Sequence, residues 1–169
     1  MKKKNSFLIN GALLTALLFA VDQLTKYFAK LFLAGNSGVT VIPGVFQFFY
    51  LENTGAAFGM FANRQIFFIT VAVVMSIAAV YVYYRLPMEK HYHLLRFICI
   101  LIVSGALGNM TDRLIYGFVI DFLYVKLIDF PVFNIADCYV CIGAALAVFS
   151  ILTVYRKDEF EFLFPKKKG

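Results

Sequence analysis

The chain has 169 residues, of which 62% are hydrophobic and 15% are charged, with a mean hydropathy of +0.79. Soluble domains are about half apolar and about a quarter charged, so this composition indicates lipid as the solvent and excludes an ordinary soluble domain. The net charge of +6 would suit nucleic-acid binding, but the basic residues cluster beside apolar runs, where topology signals belong. We therefore expect no nucleic-acid partner and a single membrane domain over residues 1–169.

A basic segment precedes the first apolar run. Lysines occupy positions 2–4 and apolar residues follow over 7–21, a pattern shared by cleaved signal peptides and retained membrane helices. The apolar character continues to Leu33, and neither a small-x-small cleavage site nor a lipid-accepting cysteine follows. The pattern therefore predicts a retained first helix over residues 7–28.

Three further windows have the length of about 20 mostly apolar residues that a membrane helix needs. They cover residues 66–84, 97–116 and 136–155. The predicted fold class is therefore an all-α membrane protein with four transmembrane helices.

The basic residues orient these spans, because lysine and arginine stay preferentially on the cytoplasmic side. With the N-terminus inside, eleven of the sixteen basic residues fall on that side: Lys2, Lys3, Lys4, Arg85, Lys90, Arg96, Arg156, Lys157, Lys166, Lys167 and Lys168. The other five do not cluster: Lys26, Lys30, Arg64, Arg113 and Lys126. The distribution predicts an N-in/C-in topology.

The segment between the first two spans is too long for a plain turn. Two β-branched and aromatic runs, 39–42 and 45–51, are separated by Pro43 and Gly44, which favours a hairpin. We expect a small β-cradle over residues 36–60 on the outer face of the membrane.

Polar residues from four segments converge on the outer ends of the spans. Asp22 lies roughly 22 Å across a hydrocarbon core of about 30 Å, and Lys26 follows one turn later on the same face, so the two can pair. The others are Asn109, Asp112, Arg113, Asp121, Asp129, Asn134 and Asp137. Charges at membrane depth usually face a bundle interior or a cavity, so the convergence predicts a functional site.

Each of these residues also has a structural interpretation. Asp22 and Lys26 could form only a structural ion pair, and Asp137 could cap a helix. Asp129 suits an ordinary turn, and Asp112 could pair with the adjacent Arg113. Spacing alone does not decide which two carboxylates act together.

Other chemistries fit the sequence poorly. His91 and His93 lie in the predicted cytoplasmic loop, so a Ser-His-Asp site at the outer face is excluded. A dyad of Lys26 with Ser104 would need a neutral lysine, which the neighbouring carboxylate disfavours. The three cysteines are interpreted as buried packing residues: Cys99, Cys138 and Cys141.

Five polar motifs follow one another along the chain. They are Asp22-Gln23-Leu24-Thr25-Lys26, Asn53-Thr54-Gly55-Ala56-Ala57-Phe58-Gly59, Gly108-Asn109-Met110-Thr111-Asp112-Arg113, Val119-Ile120-Asp121-Phe122 and Phe133-Asn134-Ile135-Ala136-Asp137. In this order, on four spans, they resemble the lipoprotein signal peptidases (signal peptidase II), which are bacterial membrane aspartic peptidases. The resemblance covers nearly the whole chain.

The resemblance implies that Asp121 and Asp137 are the catalytic carboxylates, with no metal or other cofactor. It implies that six residues bind the substrate: Asn53, Gly55, Asn109, Arg113, Asn134 and Ala136. It implies that three more have a structural or supporting role: Asp22, Lys26 and Asp112. A member of this family removes the signal peptide from diacylglyceryl-modified prolipoproteins by cutting just before the lipidated cysteine.

The resemblance also sets expectations about location and partners. We expect a multi-pass protein of the bacterial cytoplasmic membrane, with its active site near the outer face. Its partners are prolipoprotein substrates, membrane lipid and peptide antibiotics such as globomycin, and it is expected to be a monomer.

Two other functions remain open from the residues alone. One is a metal-dependent membrane phosphotransferase with Asp112, Asp121 and Asp137 as oxygen ligands. The other is a small transporter or assembly subunit in which Asp22 and Lys26 form a gating pair.

Overall fold

The structure is a computed structural model that describes residues 2–55, 64–156 and 159–160. Within these ranges it contains four long helices: α1 (Lys2–Leu33), α2 (Gln65–Arg85), α3 (His93–Tyr116) and α4 (Ile135–Thr153). It also contains three strands: β1 (Val39–Ile42), β2 (Phe46–Asn53) and β3 (Val119–Val125).

All four helices are long and apolar enough to cross a membrane, which confirms the prediction of a mostly helical membrane protein. Their outward faces carry exposed aliphatic side chains, such as Leu13, Ile77 and Leu152. Such a surface is stable only in an apolar solvent. Helix α3 is the most buried of the four, because α1, α2 and α4 all pack against it.

The three strands form one antiparallel sheet in the order β1-β2-β3. The predicted hairpin of β1 and β2 is confirmed, and Gly44 turns the chain between them at a positive φ of 75°. Residues 56–60 of the predicted cradle lie outside the described residues.

Strand β3, which carries Asp121, is an element that the sequence analysis did not predict. β3 pairs with β2, and Leu51 stands opposite Asp121 in the register. Its apolar residues also pack against α1, where Ala29 and Leu33 meet Ile120. The strand therefore joins the sheet to the helices and fixes the position of Asp121 relative to α1.

The cysteines correct a second interpretation. Cys99 is buried as predicted, whereas Cys138 is partly exposed and Cys141 is exposed. Both α4 cysteines face a cavity between α2, α3 and α4 and not the packed interior.

Close contact between α3 and α4 depends on Gly105. A methyl group at this position would overlap the carbonyl oxygen of Ala136 and approach the Val140 side chain to 2.7 Å. The backbone of α4 cannot move away without disturbing its first turn.

We expect Gly105→Ala to lower the free energy of unfolding by about 1–3 kcal/mol through overpacking. Thermal unfolding in detergent measures this. Gly143→Ala is the matched control, because its new methyl group would meet mainly side-chain atoms, with Ile102 Cγ1 at 3.1 Å. Equal melting temperatures for the two variants would contradict this view of the interface.

Candidate active site

A buried lysine joins two carboxylates beneath the sheet. Lys26 Nζ lies 2.9 Å from Asp22 Oδ2 and 3.0 Å from Asp112 Oδ2, and the three side chains are 2%, 0% and 1% exposed. The predicted pairing of Asp22 with Lys26 is confirmed. The alternative pairing of Asp112 with Arg113 is wrong, because successive residues of a helix point in different directions.

The two carboxylates also hold backbone groups from other segments. Asp22 Oδ1 accepts a hydrogen bond from the Ala136 N–H at 2.9 Å, and Asp112 Oδ2 accepts one from the Ile120 N–H at 3.1 Å. Because these donors precede Asp137 and Asp121 by one residue each, the ion-pair cluster fixes the backbone that carries both aspartates. Gln23 belongs to the first motif, but its role is not predictable from the sequence: its Nε2 donates to Asp112 Oδ1 at 3.1 Å on another helix.

Asn109 connects this cluster to Asp137. Its Oδ1 accepts from Lys26 Nζ at 2.9 Å and from Asn134 Nδ2 at 3.1 Å. Its Nδ2 donates to Asp137 Oδ1 at 2.7 Å. Because the amide oxygen of Asn109 already accepts two hydrogen bonds, its amide nitrogen must face Asp137. The orientation of the side chain is therefore fixed.

Asn134 connects Asp137 to Asp121. It is the N-cap of α4 and forms a capping box with Asp137: Asn134 Oδ1 accepts from the Asp137 N–H, and Asp137 Oδ2 accepts from the Asn134 N–H. Its Nδ2 also donates to Asp121 Oδ1 at 2.6 Å. Asp137 is therefore the third residue of the helix in a capping box and not the N-cap that the sequence suggested, and its Oδ1 accepts from Asn109 beside the cavity.

Asp121 and Asp137 line one cavity of about 610 Å³ between α2, α3 and α4. Asn53 donates from Nδ2 to Asp121 Oδ2 at 2.8 Å, so both oxygens of this carboxylate are bound by amides. The remaining wall is largely apolar, with Met75 and Val140 among its residues. Two carboxylates thus stand at the polar end of an otherwise hydrophobic groove.

Arg113 lies at the same end of the cavity. Its guanidinium donates from Nη2 to the Gly55 carbonyl at 3.1 Å and stacks over Phe68, 4.7 Å from the ring centroid. It therefore ties Gly55, which follows β2, to α3. Its positive charge also lies near Asp121 and Asp137.

Burial, and after it the nearby charge of Asp137, raise the pKa of Asp121 to about 7, against hydrogen bonds from Asn53 and Asn134 that lower it. Asp121 is only 1% exposed. A carboxyl group with this pKa is about half protonated at neutral pH, so it can donate a proton there.

Some predicted residues lie away from the cavity. Ala136 is fully buried, and its N–H is directed at Asp22. Asp129 ends a short 3₁₀ turn at a positive φ of 48° and accepts from the Tyr124 hydroxyl, which confirms its turn role. In the described part of the chain, no three His, Cys, Asp or Glu side chains are grouped as metal ligands.

The chain is similar to known proteins over most of its length. The family model described as signal peptidase (SPase) II matches residues 14–153. This chain belongs to the signal peptidase II family. It is 42% identical over 139 residues to the lipoprotein signal peptidase of Symbiobacterium thermophilum, covering 81% of this chain and 90% of that protein. The corresponding protein of Streptococcus pyogenes is 35% identical over 159 residues, covering 94% and 98%.

Two solved structures share the fold of this chain. A bacterial membrane enzyme determined by the in meso method superposes with a TM-score of 0.72 at 32% identity, covering 85% of this chain and 87% of that one. A second such structure gives a TM-score of 0.70 at 31% identity, covering 86% and 94%.

Replacing the buried lysine should damage both fold and activity. Lys26→Met leaves two buried carboxylates without their cation, a change that costs about 3–5 kcal/mol. We expect a large fall in melting temperature and loss of activity, measured on the purified protein in detergent. Lys30→Met, one turn along α1 at an exposed position, is the control and should behave nearly as wild type. A stable, active Lys26→Met protein would contradict the supporting role of the cluster.

Proposed function

We propose that this chain is an aspartic endopeptidase that removes the signal peptide from diacylglyceryl-modified prolipoproteins, cutting just before the lipidated cysteine. Membership of the signal peptidase II family supports the reaction. The observation that carries the assignment of residues is the link from Asp121 to Asp137 through Asn134, with both carboxylates lining one apolar groove.

In this proposal the two carboxylates divide the proton transfers. Asp121 holds the shared proton before attack, and Asp137 is the base. Asp137 takes a proton from water as the water oxygen bonds to the scissile carbonyl carbon, and Asp121 protonates the carbonyl oxygen. When the intermediate collapses, the carbon–nitrogen bond breaks, Asp121 recovers its proton and Asp137 protonates the leaving amine.

The geometry suggests separate roles for the residues that the resemblance assigned to the substrate. Asn109 and Asn134 are engaged with the carboxylates and with each other, so we assign them to positioning those carboxylates. Arg113 and Gly55 line the cavity and are better placed to contact the substrate backbone. The apolar wall suits the hydrophobic part of a signal peptide, while the acyl chains of the substrate remain in lipid.

We further propose an N-in/C-in topology in the bacterial cytoplasmic membrane. Eleven of sixteen basic residues fall on the inner side in this orientation. The sheet adjoins the C-terminal ends of α1 and α3, so the same orientation puts the groove near the outer face. We propose that the enzyme acts as a monomer and that globomycin, a cyclic peptide, inhibits it by occupying the groove.

Amide substitutions test the catalytic pair. Asp121→Asn and Asp137→Asn should each reduce cleavage of a purified diacylglyceryl-modified prolipoprotein by at least about 10³-fold, since each removes a proton-transfer group. Asp129→Asn is the matched control and should retain near wild-type activity. Activity should survive a chelator. Near-normal cleavage by Asp121→Asn or by Asp137→Asn would contradict this assignment. If Asp129→Asn were then inactive, Asp129 would be a catalytic carboxylate instead.

The pH dependence tests the assignment of the acid. Because Asp121 must be protonated and its pKa is raised to about 7, kcat/KM should fall as pH rises through that value. Asn53→Ala removes a hydrogen bond that favours the ionised form, so it should raise the pKa and move this fall to higher pH. A wild-type rate that is constant up to pH 9, or a shift to lower pH in Asn53→Ala, would contradict the assignment.

A further inference from the structure

Two cysteines of α4 have no part in the proposed reaction. Cys138 and Cys141 both line the cavity that contains Asp137, and they are partly exposed and exposed, whereas Cys99 on α3 is buried. Cys138 follows Asp137 directly, and Cys141 lies one turn further along the same face of the helix as Asp137. A ligand held by both thiols would therefore lie within roughly 6 Å of Asp137, measured along the helix axis.

The spacing of the two thiols determines what can join them. Side chains three residues apart on a helix have Cβ atoms about 5–6 Å apart. A disulfide needs Cβ atoms about 3.5–4.5 Å apart, so direct oxidation of Cys138 and Cys141 would distort the helix. The capping box of Asn134 and Asp137 in the first turn opposes such a distortion. A single atom that bonds to both sulfurs spans the wider gap with the helix intact.

The surroundings of the thiols restrict the kind of atom that suits them. The cavity wall is largely apolar and includes Val71, Met75 and Ile102, so a bound group with a net charge would be costly there. Zinc takes four ligands, and the described residues offer no group of three His, Cys, Asp or Glu side chains. The thiols therefore suit a soft element that needs only two sulfur bonds, is uncharged when bound and carries an apolar substituent. Trivalent organic arsenicals have this chemistry.

We propose that Cys138 and Cys141 form a dithiol site for trivalent organic arsenicals, and that an arsenical bound there blocks the groove beside Asp137. Two arsenic–sulfur bonds form, the arsenic–oxygen double bond of R–As=O breaks, and the two thiol protons leave with the oxygen as one water. Arsenic stays trivalent, so the step needs no oxidant or reductant. The product is uncharged, and its organic group packs against the apolar wall. The blockage of cleavage rests on the proposed peptidase function, whereas the binding does not.

Intact-mass spectrometry of the full chain, purified in detergent and treated with phenylarsine oxide, tests the binding. Wild type should gain one phenylarsenic group, which an excess of a dithiol removes and the same excess of a monothiol does not. Cys138→Ser and Cys141→Ser should each bind at least about 100-fold more weakly, because the second sulfur acts at a high effective concentration. Cys99→Ser is the matched control and should bind as wild type, since Cys99 is buried and does not line this cavity.

Cleavage of the prolipoprotein, with monothiol present, tests the blockage. Phenylarsine oxide should stop wild-type cleavage in proportion to the bound fraction, and it should leave Cys138→Ser and Cys141→Ser at their own untreated rates. The corresponding alanine variants give the same comparison if a serine variant fails to fold.

Three results would overturn the dithiol site: no phenylarsenic group on wild type, an adduct that a monothiol removes, or equal binding by Cys141→Ser. Full cleavage by the arsenical-bound protein would overturn the blockage. Absence of cleavage before treatment would instead contradict the proposed peptidase function, and the mass measurement decides the dithiol site separately.

Discussion

The ammonium group of Lys26 is the interaction on which the rest of the site depends. It lies between Asp22, Asp112 and Asn109, within about hydrogen-bonding distance of an oxygen of each. A charge at this depth in a membrane is tolerated only when it is paired, so the pairing requires α1 and α3 to meet at this height. The same carboxylates then bind backbone N–H groups next to Asp121 and Asp137. The ion pairs that the membrane requires thus also support the two carboxylates that we propose to be catalytic.

Asn109 and Asn134 orient the side chains of Asp121 and Asp137. Asn109 presents its amide nitrogen to Asp137 because its oxygen is already bound by two donors, and Asn134 holds both aspartates at once. Neutral amides hold the carboxylates without neutralising them, which suits the proton transfers that we propose for this pair. Burial also raises the pKa of Asp121.

Much of this architecture is readable from the sequence because its signals are local. Hydropathy predicts the four helices, the Pro43-Gly44 turn predicts the hairpin, and the four-residue spacing predicts the Asp22–Lys26 pair. Strand β3 was missed because it is a short apolar run whose partner, β2, lies about 70 residues earlier in the chain. The partner of Asp112 was missed for the same reason, since it is on another helix. The exposure of Cys141 depends on where a cavity lies, which an apolar sequence run does not reveal.

The most direct test of the account is the pH dependence of cleavage by Asn109→Asp. The introduced carboxylate can still accept from Lys26, so the fold should survive, but at neutral pH it can no longer donate to Asp137 and repels it. We expect very low activity at neutral pH and partial recovery on acidification, when the introduced carboxyl group gains a proton and can donate again. Near wild-type cleavage at neutral pH would contradict the claim that the Asn109 amide nitrogen positions Asp137.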